Sequence, residues 1–527
     1  MAFTQAGALN TTALVVPDLY VQVVPPQQLV LNGVPTNLVG VVGTAAWGPV
    51  NQPAIVGTMQ DYARLYGAIQ PRLYDMGTQV AGAVQQGASN FRCVRVTDGT
   101  DTAATYALFY ANGAYPLLLA ARYTGSLGNQ ITLTVSQRAD GGWRLTLGLP
   151  GQVAEVFDAA PGTAQQVWTA LAQGVNAGTG PLRGPSRLCV ASLGTATGAA
   201  LAALPAQQLI GGADGAAGVT AATLVGADSL PRTGMYALRG QGCAIGVLAD
   251  SSDPTTWTVQ AAFGEAEGCY MILAGPPGDT IPNAIAVKQS AGLASYAAKL
   301  MFGDWIYWND PTNGTVRLVS PQGFVAGRLA NLSPEQSSLN KPLYAILGSQ
   351  RSGGPTAQSS GYSGAELAAL LGAGLDVIAN PQPAGAFWGV RGGHNASLSP
   401  ATSGDNYTRL THYIAATLAA GMGQFVGQVI NADLFRRIQA TQMSFLQGLL
   451  QQGILGSTDG SLPFNVVCGV SNNPPTRTAL GYVQSDAQVR YQAINEKFIV
   501  NVEGGTTVTV ARQALPGAVN ATRAASA

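Results

Sequence analysis

Apolar and polar positions in the first hundred residues of this chain alternate between strand and helix patterns. Residues 38–43 form an apolar run bounded by glycine, which is typical of a buried strand, and residues 91–96 predict a second strand. Between them, residues 59–66 and 73–88 have the spacing of helices with one apolar face. Strands that alternate with helices predict an α/β layer, which we assign to residues 25–97.

The pattern changes over residues 98–230. Short alternating runs, separated by glycine, asparagine and aspartate, predict an inserted antiparallel β-sandwich with core strands at 117–120, 131–135 and 143–147. The stretch 193–225 is rich in alanine, glycine and threonine, which predicts a surface loop. We expect a weak strand at 208–210, where the chain enters the next domain.

Residues 231–395 return to the α/β pattern. Buried-type strands at 243–250 and 268–275 flank a helical segment, and a further helix is predicted over residues 283–300. Residues 396–505 then predict an α+β C-terminal domain. Its amphipathic helices lie at 405–420 and 432–452, the second capped by Asn431 or Asp433, and they precede apolar strands.

Both ends of the chain carry strand patterns outside these domains, and we assign arms to residues 1–24 and 506–527. An exposed strand edge favours association unless a neighbour fills it, so each arm is predicted to pair with a sheet of an adjacent subunit. The predicted arm and sheet residues are Tyr20, Val21, Gln22, Val23, Val24, Thr507, Val508 and Val510, beside Phe498, Val500 and Val502.

The composition argues against a monomeric protein whose whole surface is in contact with solvent. The chain has 527 residues, a formal net charge of zero and only 10% charged residues, against about 25% in an ordinary soluble domain. Without excess charge, binding to nucleic acid or to an anionic membrane surface is not expected. Lysine supplies only four of the 26 basic residues, so arginine dominates. That bias favours protein–protein contacts, or it reflects a GC-rich genome.

A membrane span and a secretory signal are also not expected. Residues 413–432 are uncharged, but Gln424, Gln428, Asn431 and three glycines favour a buried or interface helix over membrane insertion. No basic residue precedes Arg64, so the basic start of a secretory signal is missing from this sequence.

No pattern predicts a catalytic, metal or cofactor site. The five cysteines are scattered without a CxxC pair, and the histidines are His394 and His412, so we expect reduced, buried thiols. A disulfide between subunits remains an alternative. The sequence has no GxxxxGK[ST] phosphate-binding loop, and Asp250, Asp253 and Asp279 are predicted to be turn and cap residues.

Several segments, in order, resemble contractile-tail sheath proteins of bacteriophages and related injection machines. The first are PDLYVQVVPP at 17–26 and GTAAWGPVNQPAIVGTMQDYARLYG at 43–67, followed by TGSLGNQITLTV at 124–135. The C-terminal match is INADLFRRIQATQMSFLQGLLQQGILG at 430–456 and FNVVCGVSNNP at 464–474. The resemblance covers nearly the whole chain.

The resemblance implies a subtilisin-like core domain without catalysis. Subtilisin chemistry needs an imidazole beside a serine nucleophile. His394 and His412 follow the core strands, and Ser290 and Ser295 lie on a predicted helix without a GxSxG turn, so a hydrolase is not expected.

The resemblance also implies the partners. They are further copies in stacked rings or a multi-start helix with six-fold symmetry, the tail tube, and baseplate and tail terminator proteins. The protein would be assembled in the host cytoplasm and would contract in the virion to drive the tube through the cell envelope. Candidate tube-facing residues are Asp433, Arg436 and Arg437. The alternative is another lattice-forming protein, of a capsid or surface layer.

Overall fold

The computed structural model describes residues 2–5, 20–23, 31–111, 113–181 and 183–502. The chain divides into two compact units, Met1–Gln492 and Ala493–Ala527. In the second unit, the described residues 493–502 form neither helix nor strand.

The strands of the first unit are distributed along its whole length. They are β1 (Ala2–Gln5), β2 (Tyr20–Val23), β3 (Val39–Gly43), β4 (Ala54–Val56), β5 (Phe91–Arg95), β6 (Thr105–Leu108), β7 (Leu117–Ala121), β8 (Thr132–Gln137), β9 (Trp143–Gly148), β10 (Glu155–Ala159), β11 (Cys189–Leu193), β12 (Leu204–Gln208), β13 (Ile245–Leu248), β14 (Tyr270–Ala274), β15 (Ala298–Met301), β16 (Ile306–Asp310), β17 (Thr315–Val319), β18 (Ile346–Ser349), β19 (Ile378–Ala379), β20 (Gly389–Val390), β21 (Phe464–Val467) and β22 (Asp486–Val489).

The helices lie mainly in the α/β and C-terminal parts. They are α1 (Met59–Tyr66), α2 (Met76–Gln85), α3 (Ala164–Ala177), α4 (Ala221–Val225), α5 (Trp257–Glu267), α6 (Ile281–Ser290), α7 (Gln322–Ala330), α8 (Gly364–Gly372), α9 (Asp405–Met422), α10 (Ala432–Gln451) and α11 (Pro475–Thr478). Within the described ranges, no helix is both long and apolar enough to cross a membrane.

One six-stranded sheet unites the two predicted α/β segments. Its strand order is β15-β14-β13-β3-β5-β4, and all neighbouring strands are parallel except β4 and β5. β3 is buried along its whole length because helices cover both faces of the sheet. At Gly40 the packing is close: a Cβ atom there would lie 2.7 Å from Leu238 Cδ1. Residues from 31–97 and 231–395 therefore share one sheet and the hydrophobic cores on both of its faces.

The inserted β-sandwich contains the predicted antiparallel strands and one helix that the sequence reading missed. Its two sheets have the orders β10-β9-β8-β12 and β11-β7-β6. Helix α3 starts at a capping box formed by Thr163 and Gln166, and it buries Trp168 and Leu171 in the core of the sandwich. The strand predicted at 208–210 lies at 204–208 instead, as β12.

The helix predicted over residues 283–300 is wrong in its second half. Helix α6 ends at Ser290, Gly292 has a positive φ of 65°, and the chain returns as strand β15. β15 is buried at every position, so it lacks the alternation that marks a strand with one exposed face.

The C-terminal part has the two predicted long helices, which agree with the prediction within two residues. Ile414, Phe445 and Leu449 form a small core beneath the antiparallel pair β21 and β22. Asn431 caps α10, since its side-chain oxygen accepts a hydrogen bond from Leu434 N at 2.8 Å.

The structure tests the predicted arm strands only in part. Residues 20–23 form β2, which pairs in parallel with β1. The described residues 498–502 form no strand, and Phe498 is 82% exposed. Val24, Thr507, Val508 and Val510 lie outside the described residues.

Candidate functional site

Ser295 and His412, two of the residues considered for subtilisin chemistry, contact other groups in the described part of the chain. His412 is buried on α9, and neither of its ring nitrogens has a hydrogen-bond partner there. Burial lowers the pKa of His412 to about 4. Ser295 Oγ instead donates to Glu265 Oε1 at 2.6 Å. The imidazole packs against the ring of Tyr296, with the centroids 5.6 Å apart.

The described residues also show the surroundings of the side chains that could bind a metal ion or form a disulfide. No group of three histidine, cysteine or acidic side chains there could hold a metal ion. All five cysteines are free and buried, as predicted. Asp253 caps a turn, since its Oδ1 accepts a hydrogen bond from Thr255 N at 2.9 Å.

The predicted tube-facing residues lie together on the first turns of α10. Asp433 Oδ2 lies 3.0 Å from Arg437 Nε, and Asp433 Oδ1 lies 3.5 Å from an Arg436 nitrogen. The side chains are 60%, 46% and 77% exposed for Asp433, Arg437 and Arg436. Exposed pairs of this kind contribute about 1 kcal/mol or less. Asp433 offsets one of the two arginine charges, so the helix start has a net charge of +1.

Exposed apolar side chains, here called the apolar rim, lie on the loops next to this helix start. Phe425, Cys468 and Val483 share a small core with the first turns of α10, so the loops that carry them meet at the same end of the molecule. The rim consists of the large apolar side chains that these loops leave exposed, namely Val426, Val429, Val470, Leu480 and Tyr482. Exposed apolar side chains mark a contact surface where they form one contiguous patch, so the apolar rim is a candidate for such a surface. The helix predicted over 413–432 is wrong in its second half, since α9 ends at Met422 and Val426 and Val429 beyond it are exposed.

The β21–β22 pair lies in the same C-terminal part. It is a two-stranded antiparallel sheet, and no third strand of residues 31–492 pairs with either outer edge. Two-stranded sheets have unpaired N–H and C=O groups along both edges, which is a template for strand addition.

A buried ion cluster fastens the start of α9 to the core sheet. Lys299 Nζ lies 2.6 Å from Asp376 Oδ2 and 3.0 Å from Asp405 Oδ1, and it also donates to the carbonyl of His394. Tyr270 OH donates to Asp405 Oδ1 at 2.6 Å. Lys299, Asp376 and Asp405 are at most 1% exposed. The sequence reading missed this cluster, because it placed Lys299 on a helix.

The charges in the cluster stabilise one another. Burial alone would lower the pKa of Lys299, but Asp376 and Asp405 outweigh it and raise that pKa. Burial alone would raise the pKa of Asp405, but Lys299 and the hydrogen bonds from Ser338 and Tyr270 lower it to about 2. Breaking such a pair leaves an uncompensated buried charge.

A second buried group of acids lies where β3 and β13 end. Asp250 Oδ1 accepts from Gln79 Nε2 at 2.8 Å, and Gln79 Oε1 accepts from Gly323 N at 2.7 Å. Burial, and then the charge of Asp75, raise the pKa of Asp250 to about 7. Burial likewise raises the pKa of Asp75 to about 6. Asp250, predicted as a turn residue, does lie in a turn, with φ of 53°.

We expect Asp250→Asn to flatten the pH dependence of folding stability. The folded protein holds a proton on Asp250 up to about pH 7, whereas the unfolded chain releases it near pH 4. Stability from this site is therefore present at low pH and is lost as pH rises to about 7, by about 1.4 kcal/mol per unit of pKa difference. Denaturant unfolding at about pH 5 and at about pH 8 measures the change.

Asp98→Asn is the control for this experiment. Hydrogen bonds from Thr100 lower the pKa of Asp98, so its titration lies below the tested range. This variant should shift stability equally at both pH values. An Asp250→Asn protein with an unchanged difference between the two pH values would contradict the assignment.

No protein-family model and no curated protein matches this chain by sequence.

Solved structures with the same fold are sheath proteins. The sheath tail protein of Desulfitobacterium hafniense has a TM-score of 0.57 and 17% identity, covering 85% of this chain and 93% of that one. The sheath tail protein of Listeria innocua has a TM-score of 0.59 and 15% identity, covering 84% and 91%. The contracted PVC sheath of an extracellular contractile injection system has a TM-score of 0.53 and 12% identity, covering 95% and 99%. This chain therefore has the fold of contractile tail-sheath proteins, as its sequence resemblance predicts.

Proposed function

We propose that this chain is the structural subunit of a contractile tail sheath. It polymerises around an inner tube and contracts to drive that tube through a cell envelope. The observation that carries the proposal is the likeness in fold, which extends over 84% of this chain or more in sheath proteins from three sources. A mechanical role also suits a chain with 10% charged residues, because neighbours would cover much of its surface.

The arms join neighbouring copies in this proposal. Residues 20–24 and 507–510 add as strands to a sheet of an adjacent subunit, and the outer edge of β22 is a suitable acceptor, since Val466 O on the β21 edge already accepts a hydrogen bond from Gln439 Nε2. Phe498, Val500 and Val502 remain candidates for the same pairing, since their side chains are exposed.

Several finer features belong to the same proposal. The six-stranded sheet belongs to the subtilisin-like domain, to which residues 25–97 contribute three strands beside those of 231–395, and the predicted boundaries at 24, 97, 230, 395 and 505 mark where the chain passes from one part to the next. The assembly has six-fold symmetry and contacts the tube, the baseplate and a tail terminator. The chain acts without catalysis or cofactor, is assembled in the host cytoplasm and resides in the virion tail.

Negative-stain microscopy of the purified protein tests the proposal. Ribbed tubes of defined diameter are expected, because sheath subunits associate around a hollow centre. Flat sheets or closed shells would instead support the alternative of a surface-layer or capsid lattice protein.

We expect Arg436→Glu with Arg437→Glu to weaken docking of the sheath on its tube. The change places acidic residues beside Asp433 on an exposed helix start, so the local charge is reversed while the buried side of α10 is retained. Cosedimentation of subunits with tubes at low salt measures the effect.

The matched control is Arg144→Glu, an exposed arginine of the β-sandwich that pairs with Asp158. It should dock normally. If the double variant also docks at normal efficiency in low salt, the start of α10 is not the docking site, and the apolar rim becomes the remaining candidate at that end of the molecule.

A further inference from the structure

The buried ion cluster has the composition of a self-linking site. Lysine and aspartate can condense to an amide when their side chains are held in contact, shielded from water and served by a second carboxyl group. Lys299 and Asp376 meet the first two conditions, with Nζ 2.6 Å from Oδ2 and both side chains at most 1% exposed. Asp405 meets the third, with its Oδ1 3.0 Å from Nζ.

The backbone holds the two side chains on adjacent extended segments. Asp376 N donates to Leu300 O at 2.9 Å, and Phe302 N donates to Asp376 O at 2.7 Å. These bonds fix the aspartate beside β15, which carries Lys299. Little movement is therefore needed for Nζ to reach Cγ, which makes the contact close to a reactive geometry.

Asp376 also has donors placed for a tetrahedral intermediate. Its Oδ1 accepts hydrogen bonds from Val377 N and Gly392 N, both at 2.8 Å. Its Oδ2 accepts from Lys299 Nζ and, at 3.1 Å, from His394 N. Two backbone N–H groups on one oxygen can stabilise the negative charge that develops there when a nucleophile adds to the carboxyl carbon.

We propose that Lys299 and Asp376 join through a spontaneous intramolecular isopeptide bond between Nζ and Cγ, with Asp405 as the proton carrier. The starting state is the ion pair, since both carboxylates raise the pKa of Lys299. A proton first passes along the Nζ–Oδ2 hydrogen bond, which leaves a neutral amine and a neutral carboxyl group. The transfer is an uphill step, so the reaction is slow and follows folding.

The reaction then proceeds in two steps that conserve atoms and charge. The Nζ electron pair attacks Cγ, and the C=O electrons move to Oδ1. Asp405 takes a proton from the resulting ammonium nitrogen and gives it to the Oδ2 hydroxyl, which leaves as water while the C=O bond re-forms. The products are one amide, one water molecule and the Asp405 carboxylate, which keeps its hydrogen bonds from Tyr270 and Ser338.

A covalent link here would tie β15 to the segment that leads towards α9. Unlike an ion pair, an amide does not dissociate under load or salt. The link concerns the folded subunit alone, so it stands or fails independently of the proposed assembly function.

Intact mass spectrometry of the full-length wild-type protein tests the proposal. We expect a mass lower than the sequence mass by one water molecule, and peptide mapping that finds a branched peptide joining Lys299 to Asp376. A full sequence mass overturns the proposal, as does a loss of water that maps elsewhere. The wild-type result decides the question even if variants fold poorly.

Three variants separate the roles in the reaction. Asp376→Asn should still link, losing ammonia in place of water and ending at the same mass as the linked wild type. Lys299→Arg should keep its full mass, because its guanidinium retains a positive charge but is a poor nucleophile. Asp405→Asn should form the link at least about 100-fold more slowly, because an amide side chain cannot carry the proton. Rapid linking in Asp405→Asn would overturn the role of Asp405.

Discussion

Deletion of residues 1–24 should abolish tube formation and leave a folded subunit. β1 and β2 form a two-stranded sheet of their own, so the deletion removes no strand from the other sheets of the described residues. Assembly should fail because neighbouring subunits lose the strand that joins them. Microscopy and sedimentation measure assembly, and the unfolding transition measures the fold.

Deletion of residues 517–527 is the matched control. It also shortens the chain at one end but spares the strand pattern at 507–510, so it should assemble as the full chain does. Normal tubes from the chain that lacks residues 1–24 would rule out the arm as the link between subunits. A loss of the unfolding transition would show that those residues serve the fold instead.

Lys299→Met should destabilise the subunit by roughly 3–5 kcal/mol relative to the unlinked subunit, in which Lys299 and Asp376 form an ion pair, because one partner of a buried ion pair is removed. The substitution leaves Asp376 and Asp405 facing each other in a buried site without their shared cation. The expected loss is a large part of the stability of an ordinary domain. Denaturant unfolding of the unassembled subunit measures it.

Arg436→Met is the control at an exposed pair. The Arg436 side chain is 77% exposed and lies 3.5 Å from Asp433, so its removal should change stability by less than about 1 kcal/mol. Similar losses in the two variants would mean that burial adds nothing to the ion cluster.

The sequence by itself determined the elements that have a local signature. The helix over 432–451 follows from its periodicity and from Asn431 as its cap, and the sandwich strands follow from alternation between turn residues. The low content of charged residues indicated a surface covered by partners. The order of the family-like segments along the chain indicated the sheath fold, which the structural comparisons confirm. Each of these signals is contained in neighbouring residues, so no knowledge of the folded chain was needed.

The tertiary structure alone decided which segments share a core and which charges meet. β3 and β13 are neighbours in one sheet, although the whole sandwich separates them in the chain. Strand β15 was read as helix because burial on every side removes the alternation that identifies a strand. Lys299 bonds to partners 77 and 106 residues further along the chain. Contacts at that separation depend on how the sheets and helices pack, which no local pattern encodes.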